Sequence, residues 1–514
     1  MQKWLKDAIF YEIYPQSFYD SNGDGIGDIN GITQKLGYIK GLGANALWIN
    51  PCFDSPFMDA GYDVRDYKKV APRYGTNDDL VRLFSEAHKM GIRVLLDLVP
   101  GHTSDQHPWF LESKKAEKNE YSGRYIWTSN AFEAVPNRPY IGGMTERDGT
   151  YMLNFFASQP ALNYGWLDRT RPWMSAVDSP EALATREAMK DVMRFWLDLG
   201  CDGFRVDMAE SLVKNDDDIR SATCAIWRGV REMLDRDYPE AAMVAEWSNP
   251  WRAINDGGFH MDFYLDHVGN GYNTLLRDNE AGGEDNSYFR ADGKGDIFRF
   301  LDDYLPRYEA SRDNGYISII TCNHDTPRPA RTLSPGELKL AYAFILTMPG
   351  VPFIYYGDEI GMRYLDIPTK EGGYARTGSR TPMQWSDGKN MGFSTAEAEK
   401  LYLPQDPSPD APCVTEQEKD EHSLLSVTKE LTALRHSVED LQADAPFEVV
   451  YAEHNDPLFI YRRCGTVLAV NPAKNGRMIK NPAIVGRSVV YRIGDAELED
   501  DSLALGAQSF VVLG

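Results

Sequence analysis

Carboxylates recur in this chain at one kind of place, the end of a short apolar run. Asp97 closes Val94-Leu95-Leu96, Asp207 follows Phe204-Arg205-Val206, and Glu246 follows Met243-Val244-Ala245. Asn323-His324-Asp325 follows Ile317–Thr321, and His102 comes shortly after Asp97. One buried carboxylate is usually structural. So many polar groups at the ends of apolar segments would be unpaired unless a polar ligand or a network satisfied them. Two carboxylates, one ionised and one with a raised pKa, are the equipment for glycosidic cleavage. Arg205 shares a strand face with Asp207, where its fixed charge should keep Asp207 ionised and oriented as a nucleophile. Glu246, between Ala245 and Trp247, has an apolar setting that should raise its pKa toward that of an acid/base. No Gly-rich phosphate loop, zinc-ligand spacing or Gly-x-Ser-x-Gly elbow competes.

The elements that must position these groups follow one cadence: helix, glycine, apolar strand. It appears as Ile39–Gly43 then Ala46–Asn50, as Leu80–Met90 and Gly91 then Arg93–Val99, and as Ala182–Leu199 and Gly200 then Gly203–Val206. A fourth instance is Leu338–Met348, Pro349-Gly350, then Phe353–Tyr356. Thr76 with Asp79 reads as a capping box, and Leu80, Leu83, Phe84 and Ala87 line one helical face. Strands also fit at Ile9–Ile13, Met243–Ala245, Phe263–Leu265 and Ile317–Thr321. Eight near-continuously apolar strands separated by helix-length stretches predict an α/β fold, a closed (β/α)8 TIM barrel, with an open doubly wound sheet as the rival. The stretch after the third strand is too long for a simple loop and reads as an inserted domain. Short strands from Phe447 onward predict a C-terminal antiparallel β domain of sandwich type. The expected layout is residues 1–100 and 172–440 for the barrel, 101–171 for the insertion, and 441–514 for the β domain.

The motifs together resemble the α-amylase family of glycoside hydrolases, closest to its α-glucosidase/oligo-1,6-glucosidase branch. They are Asp97–His102, Gly203–Asp207, Val244–Glu246, Asn323–Arg328, Gln159–Asn163, Arg380–Trp385 and Tyr355–Glu359. The resemblance implies that Asp207 is the nucleophile, Glu246 the general acid/base, and Asp325 the third carboxylate that grips the reacting sugar. It further implies that Arg205, His102, His324 and Arg328 help position that sugar, that Tyr62 stacks on it, and that Asp59 and Arg380 close the far wall of the pocket. The family commonly has Asn just before the first histidine, where this chain has Gly101. Ala161 replaces a frequent Asp, and Met208 follows the nucleophile where the branch usually shows Val, a smaller residue or Thr. The implied activity is a retaining, exo-acting α-glucosidase on short oligosaccharides or disaccharides. A trehalose-synthase-like isomerase or transglycosylase, or a sucrose-acting enzyme, is the alternative on the same site. A non-catalytic scaffold is disfavoured, because all three carboxylates are kept.

A second constellation is Asp20-Ser-Asn22-Gly-Asp24-Gly-Ile26-Gly-Asp28. Oxygen ligands at alternating positions resemble the start of a calcium loop, although Gly31 stands where an EF-hand needs Glu. An Asx-rich turn without an ion is the plain alternative. In the family the same loop binds one divalent cation, so structural Ca2+ (or Mg2+) is expected on Asp20, Asn22, Asp24, the Ile26 carbonyl and Asp28.

Composition narrows the partners. The 514 residues carry 54 Lys+Arg against 77 Asp+Glu, a net charge of -23, with no basic block, so nucleic acid and anionic membranes are not expected. No secretory leader and no bilayer-spanning segment is read. The six cysteines show no CxxC or metal spacing, which fits reduced thiols in a cytoplasmic protein, a monomer or homodimer acting on a small sugar.

Overall fold

Capping fixes where the barrel's helices begin. Thr76 and Asp79 form the reciprocal capping box, and the helix runs Asn77–Lys89 with Leu80, Leu83, Phe84 and Ala87 buried. Ser334 and Glu337 form a second box at the head of helix Pro335–Thr347. Ser179 caps helix Pro180–Asp198. The computed structural model describes residues 1–133, 138–278, 284–371 and 376–514; parts of the expected insertion and of the expected second barrel segment therefore lie outside the described residues.

Eight parallel strands form one sheet: β1 (Phe10–Ile13), β2 (Ala46–Ile49), β3 (Arg93–Leu98), β4 (Gly203–Val206), β5 (Ala242–Ala245), β6 (Met261–Phe263), β7 (Tyr316–Ser318) and β8 (Phe353–Tyr355). Neighbours in sequence pair in turn, and β8 returns to pair with β1. A parallel bridge from Ile320 to Phe353 joins the remaining two edges. The sheet is a barrel, and the open-sheet rival falls. Gly203 is required at the β4–β5 contact, since a Cβ there would lie 1.9 Å from the Ala242 carbonyl oxygen at a φ of +142°.

Two strands differ from the expectation. β6 lies two residues earlier than the apolar run Phe263–Leu265, because the buried polar residues His260 and Asp262 masked it. His260 Nδ1 accepts from the Met243 amide at 3.0 Å, and Asp262 accepts from the Ser248 amide at 3.2 Å. Regular pairing in β7 stops at Ser318, and its C-terminal half keeps only the Ile320 bridge.

The chain after β3 pairs Tyr140–Gly142 with Thr150–Met152 and builds a small core from Ile126, Met152, Ala161, Trp166 and Met174. Bridges from His102 to Ala161 and from Trp166 to Lys214 stitch this segment to the barrel mouth. At the C-terminus an antiparallel sheet of five strands (Phe447–Tyr451, Phe459–Arg463, Thr466–Asn471, Val489–Ile493, Ser509–Leu513) lays one face on the barrel core through Phe459, Tyr461, Val470 and Phe510. Its other face packs Ile460, Val467, Ala469 and Val511 against Leu503, Leu505 and Ala496 of a three-stranded sheet. The two sheets fit the expected sandwich, but the strands of the second were not read from the sequence; the first of them, Arg477–Lys480, is short and mostly exposed. Arg435 donates to the carbonyls of Leu346, Met348 and Gly350, and Arg463 to those of Thr347, Gln442 and Ala445. Among the described residues no helix is long and apolar enough to cross a membrane.

Candidate active site

Arg205 stands on β4 with its side chain inside the barrel, 1% exposed. Its Nη1 donates to Asp97 Oδ1 at 2.9 Å and to Asp207 Oδ1 at 3.0 Å, while Nη2 lies 3.0 Å from Glu246 Oε2. The strands aim these groups. The Asp207 amide donates to the Leu98 carbonyl and the Glu246 amide to the Val206 carbonyl, so each carboxylate sits one step past its strand end. Met208 then takes a left-handed conformation, φ 42°, and its amide donates to Glu246 Oε2 at 2.8 Å.

One guanidinium therefore serves three carboxylates. Burial pushes Glu246 up to about 7 against Arg205, with Asp207 adding to the rise, as the apolar setting implied. Burial also pushes Asp207 up to about 7, with Asp97 and Asp325 adding to it and Arg205 opposing. Arg205 orients Asp207 as expected, but its charge does not keep the group in the ordinary carboxylate range: that charge is divided among Asp97, Asp207 and Glu246, and burial outweighs it. Two adjacent groups raised this way titrate as a pair.

Asp325 is held the other way. Burial raises its carboxyl, but His324, Arg376, Arg380 and Arg205 outweigh burial and keep it well below the usual range. Burial drives His324 itself well below the histidine range, so its ring is neutral and the three guanidiniums carry the effect. Arg376 bridges two loops, donating to Asp325 Oδ1 at 2.9 Å and to Asp59 Oδ1 at 2.8 Å. The expected partner of Asp59 was Arg380. That residue instead donates to Asp325, Glu371 and the His324 carbonyl, and at 1% exposed it lies behind the pocket wall. Gln159 holds the other Asp59 oxygen at 2.8 Å. Sequence reasoning missed Arg376; an arginine in the loop after β8 was the available signal.

The pocket is about 250 Å³ and is lined by Asp59, Tyr62, His102, Phe155, Asp207, Met208, Glu246, Asp325 and Arg376. Phe155 and the wall position of Met208 were also not foreseen as lining. Tyr62 donates to Asp97 Oδ2 at 3.1 Å, and its hydroxyl lies 2.6 Å from His324 Nε2. His324 lies behind Tyr62, with Nδ1 2.9 Å from Glu12 Oε1 and Nε2 3.4 Å from Asp325 Oδ2. Arg328 is not brought to the site. It is fully buried on Asp358 at 2.8 Å and on the Tyr356 carbonyl, a pair that braces the turn after β8.

The loop from Asp20 to Asp28 folds by Asx turns. Asp20 accepts the amides of Asn22, Gly23 and Gly25 and the Ser394 hydroxyl; Asn22 and Asp24 each accept the amide two residues on. Asp28 caps helix Ile29–Gln34. The donor atoms are all oxygen, which fits a hard cation held by Asp20, Asn22, Asp24, Asp28 and the Ile26 carbonyl. Among the described residues no group of three or more His, Cys, Asp or Glu side chains is gathered around one point, so the loop is not a preformed cage.

Known proteins are similar to this chain. The α-amylase catalytic-domain model matches residues 12–444. The trehalose synthase/amylase of Mycolicibacterium smegmatis is 36% identical over 494 residues, covering 84% of this chain and 76% of that protein. The oligo-1,6-glucosidase of Bacillus sp. strain F5 is 31% identical over 495 residues, covering 85% of this chain and 93% of that protein. Among solved structures, the isomaltulose synthase from Erwinia rhapontici NX5 superposes with a TM-score of 0.82 at 25% identity, covering 100% of this chain and 99% of that one.

Proposed function

Because the chain belongs to the α-amylase family of glycoside hydrolases, we propose that it is a retaining, exo-acting enzyme that cleaves α-glucosidic bonds at the non-reducing end of disaccharides and short oligosaccharides. The carrying observation is the tie across one side of the pocket. Arg376 joins Asp59 to Asp325 there, and the pocket's volume, about 250 Å³, suits one glucosyl unit with part of the next.

In this reading an Asp207 carboxylate oxygen attacks the anomeric carbon while Glu246 gives its proton to the glycosidic oxygen. The bond to the leaving sugar breaks and a glucosyl-aspartate ester forms. Glu246, now ionised, takes a proton from an incoming hydroxyl, whose oxygen displaces Asp207 and restores the α configuration. Asp325, kept ionised by its guanidiniums, accepts hydrogen bonds from the sugar hydroxyls. Arg205 stays bonded to both reacting carboxylates throughout.

The incoming hydroxyl decides the product: water gives hydrolysis, while the released sugar turning in place gives an isomer. Likeness to a trehalose synthase/amylase and an isomaltulose synthase favours keeping the second reading. Half-exposed Phe155 beside Met208 at the mouth offers an apolar rest for a retained sugar. Six free cysteines, five of them buried, fit a reducing compartment, and we place the enzyme in the cytoplasm. Incubation with maltose, isomaltose, sucrose and trehalose, with products resolved by chromatography and proton NMR, tests the reading. Free α-glucose as the first product supports hydrolysis, and an isomeric disaccharide supports isomerisation. A β-anomer appearing first, or maltotriose dominating the early products from starch, overturns it.

A further inference from the structure

His102 lines the pocket, yet neither of its nitrogens is left to chance. Nε2 lies 3.0 Å from the Tyr62 carbonyl oxygen, which can only accept, so Nε2 carries the proton. Nδ1 lies 3.0 Å from Asn154 Nδ2 and accepts from it. The orientation of the Asn154 amide is set in turn by Lys214, which donates to its oxygen, and by Met208, whose sulfur lies 3.9 Å from its nitrogen. Lys214 Nζ lies 3.4 Å from Asn154 Oδ1 and 2.6 Å from the Ser211 carbonyl, in the turn that follows Asp207. Lys214 is 4% exposed and forms no ion pair among the described residues. Burial, with Arg138 and Arg220 nearby, lowers it to about 7. A neutral amine still has two N–H bonds, which match its two acceptors. Gly101 completes the arrangement: a Cβ there would lie 2.9 Å from Asn154 Nδ2. The amide from the inserted segment occupies the space a side chain at position 101 would need.

We propose that Asn154 and Lys214 are positioning residues for His102, with Lys214 fixing the Asn154 amide and Asn154 fixing the imidazole from the space that Gly101 leaves open. The substrate consequence rests on the glucosidase reading above. His102 is then a sugar contact of one tautomer and one orientation, and the inserted segment governs it. Gly101, a departure from the family pattern, becomes half of a matched pair with Asn154.

The test is a mutant cycle read in steady-state kinetics on the best disaccharide and on 4-nitrophenyl α-glucoside. Asn154→Ala and Lys214→Met should each lower kcat/KM about tenfold, chiefly through KM, since a displaced contact costs binding of the glucosyl unit. Gly101→Ala should push Asn154 aside and cause a similar loss in the wild-type background, but no further loss in Asn154→Ala. The double variant Asn154→Ala/Lys214→Met should be no worse than Asn154→Ala alone. Losses that multiply, or kcat/KM unchanged in Asn154→Ala, overturn the proposal. Selective 15N-histidine labelling gives a readout independent of turnover. The His102 resonances, assigned by their loss in His102→Gln, should show protonated Nε2 and bare Nδ1 in the wild type; in Asn154→Ala Nε2 keeps its proton on the Tyr62 carbonyl while the Nδ1 shift moves, because that nitrogen has lost its donor. If no α-glucoside is turned over but this signal behaves as stated, the functional reading fails and the positioning stands. An unchanged signal overturns the positioning.

Discussion

Two buried arginines in this barrel meet carboxylates in opposite ways. Arg328 faces Asp358 alone, with Asp358 also taking the Thr321 hydroxyl. Arg205 faces Asp97, Asp207 and Glu246 together. The first is a matched pair whose charge is spent on holding a turn. The second is short of positive charge. Burial raises the carboxyl at both sites, but Asp358 has a whole guanidinium against it, while Asp207 and Glu246 share theirs with Asp97 and reach about 7. Burial beside a guanidinium thus does not separate a structural carboxylate from a reacting one; the number of carboxylates sharing the charge adds to the effect of burial.

Asp207→Asn should have the largest effect, lowering turnover by about four orders of magnitude or more while making the protein more stable at pH 8. The sign follows from the raised pKa. A carboxyl at about 7 in the fold keeps a proton that the unfolded chain releases near pH 4, so its contribution to stability falls as pH rises between those values. Removing the ionisable group should recover roughly 4 kcal/mol at pH 8 and nothing below pH ~4. Asp325→Asn should lose both activity and stability, because its depressed pKa stabilises the fold at neutral pH and that gain is lost only as pH falls. Arg328→Met, at the matched pair, should cost about 3–5 kcal/mol of stability. Urea unfolding at several pH values reads all three. A destabilised Asp207→Asn, or a neutral Arg328→Met, breaks the comparison.

Glu246→Gln should reduce turnover of disaccharides by about 10²–10⁴-fold and that of activated aryl glucosides much less, since a good leaving group needs little protonation. Equal losses on both substrate types argue against the acid role. With Asp207 and Glu246 both raised to about 7, wild-type kcat/KM should peak narrowly near pH 7. It falls on the acid side as the nucleophile gains a proton and on the alkaline side as the acid loses one.

Arg376→Ala should raise KM for disaccharides about 10–100-fold, the worth of bonds to a charged group, with the fold intact. Arg380→Ala should act through loss of stability, since its guanidinium is buried on Asp325 and Glu371. The opposite ranking would return the wall to Arg380.

The smallest effect belongs to the loop at Asp20–Asp28. Chelation should lower Tm by a few degrees by mass action and leave kcat unchanged at 25 °C. Elemental analysis showing no bound metal, with Tm unmoved by calcium, removes the ion and leaves the Asx turns.

The barrel and its carboxylates were legible because both obey strong rules. Strands buried on two faces must be apolar, and a mouth full of charge must come from strand ends. What stayed hidden obeys weaker ones. β6 was masked by His260 and Asp262, polar residues that each accept a backbone amide which only the fold brings near. Arg376 and Arg380 sit in one loop and differ by which way each reaches, which spacing does not encode. The protonation of Asp207 depends first on its burial and then on how many carboxylates share Arg205, and a same-strand arginine read from the sequence gives the wrong direction.

The matched family region ends at residue 444, but the covalent map and the mechanical one differ there. Arg463, beyond that point, holds the carbonyls of Thr347, Gln442 and Ala445. Phe447 and Tyr461 pack against Tyr304, Tyr308 and Phe344 of the barrel's outer helices. A nascent chain released at 444 would therefore carry a barrel with unshielded aromatic rings and uncapped helix ends. Residues 445–514 thus join the barrel in one cooperative folding unit.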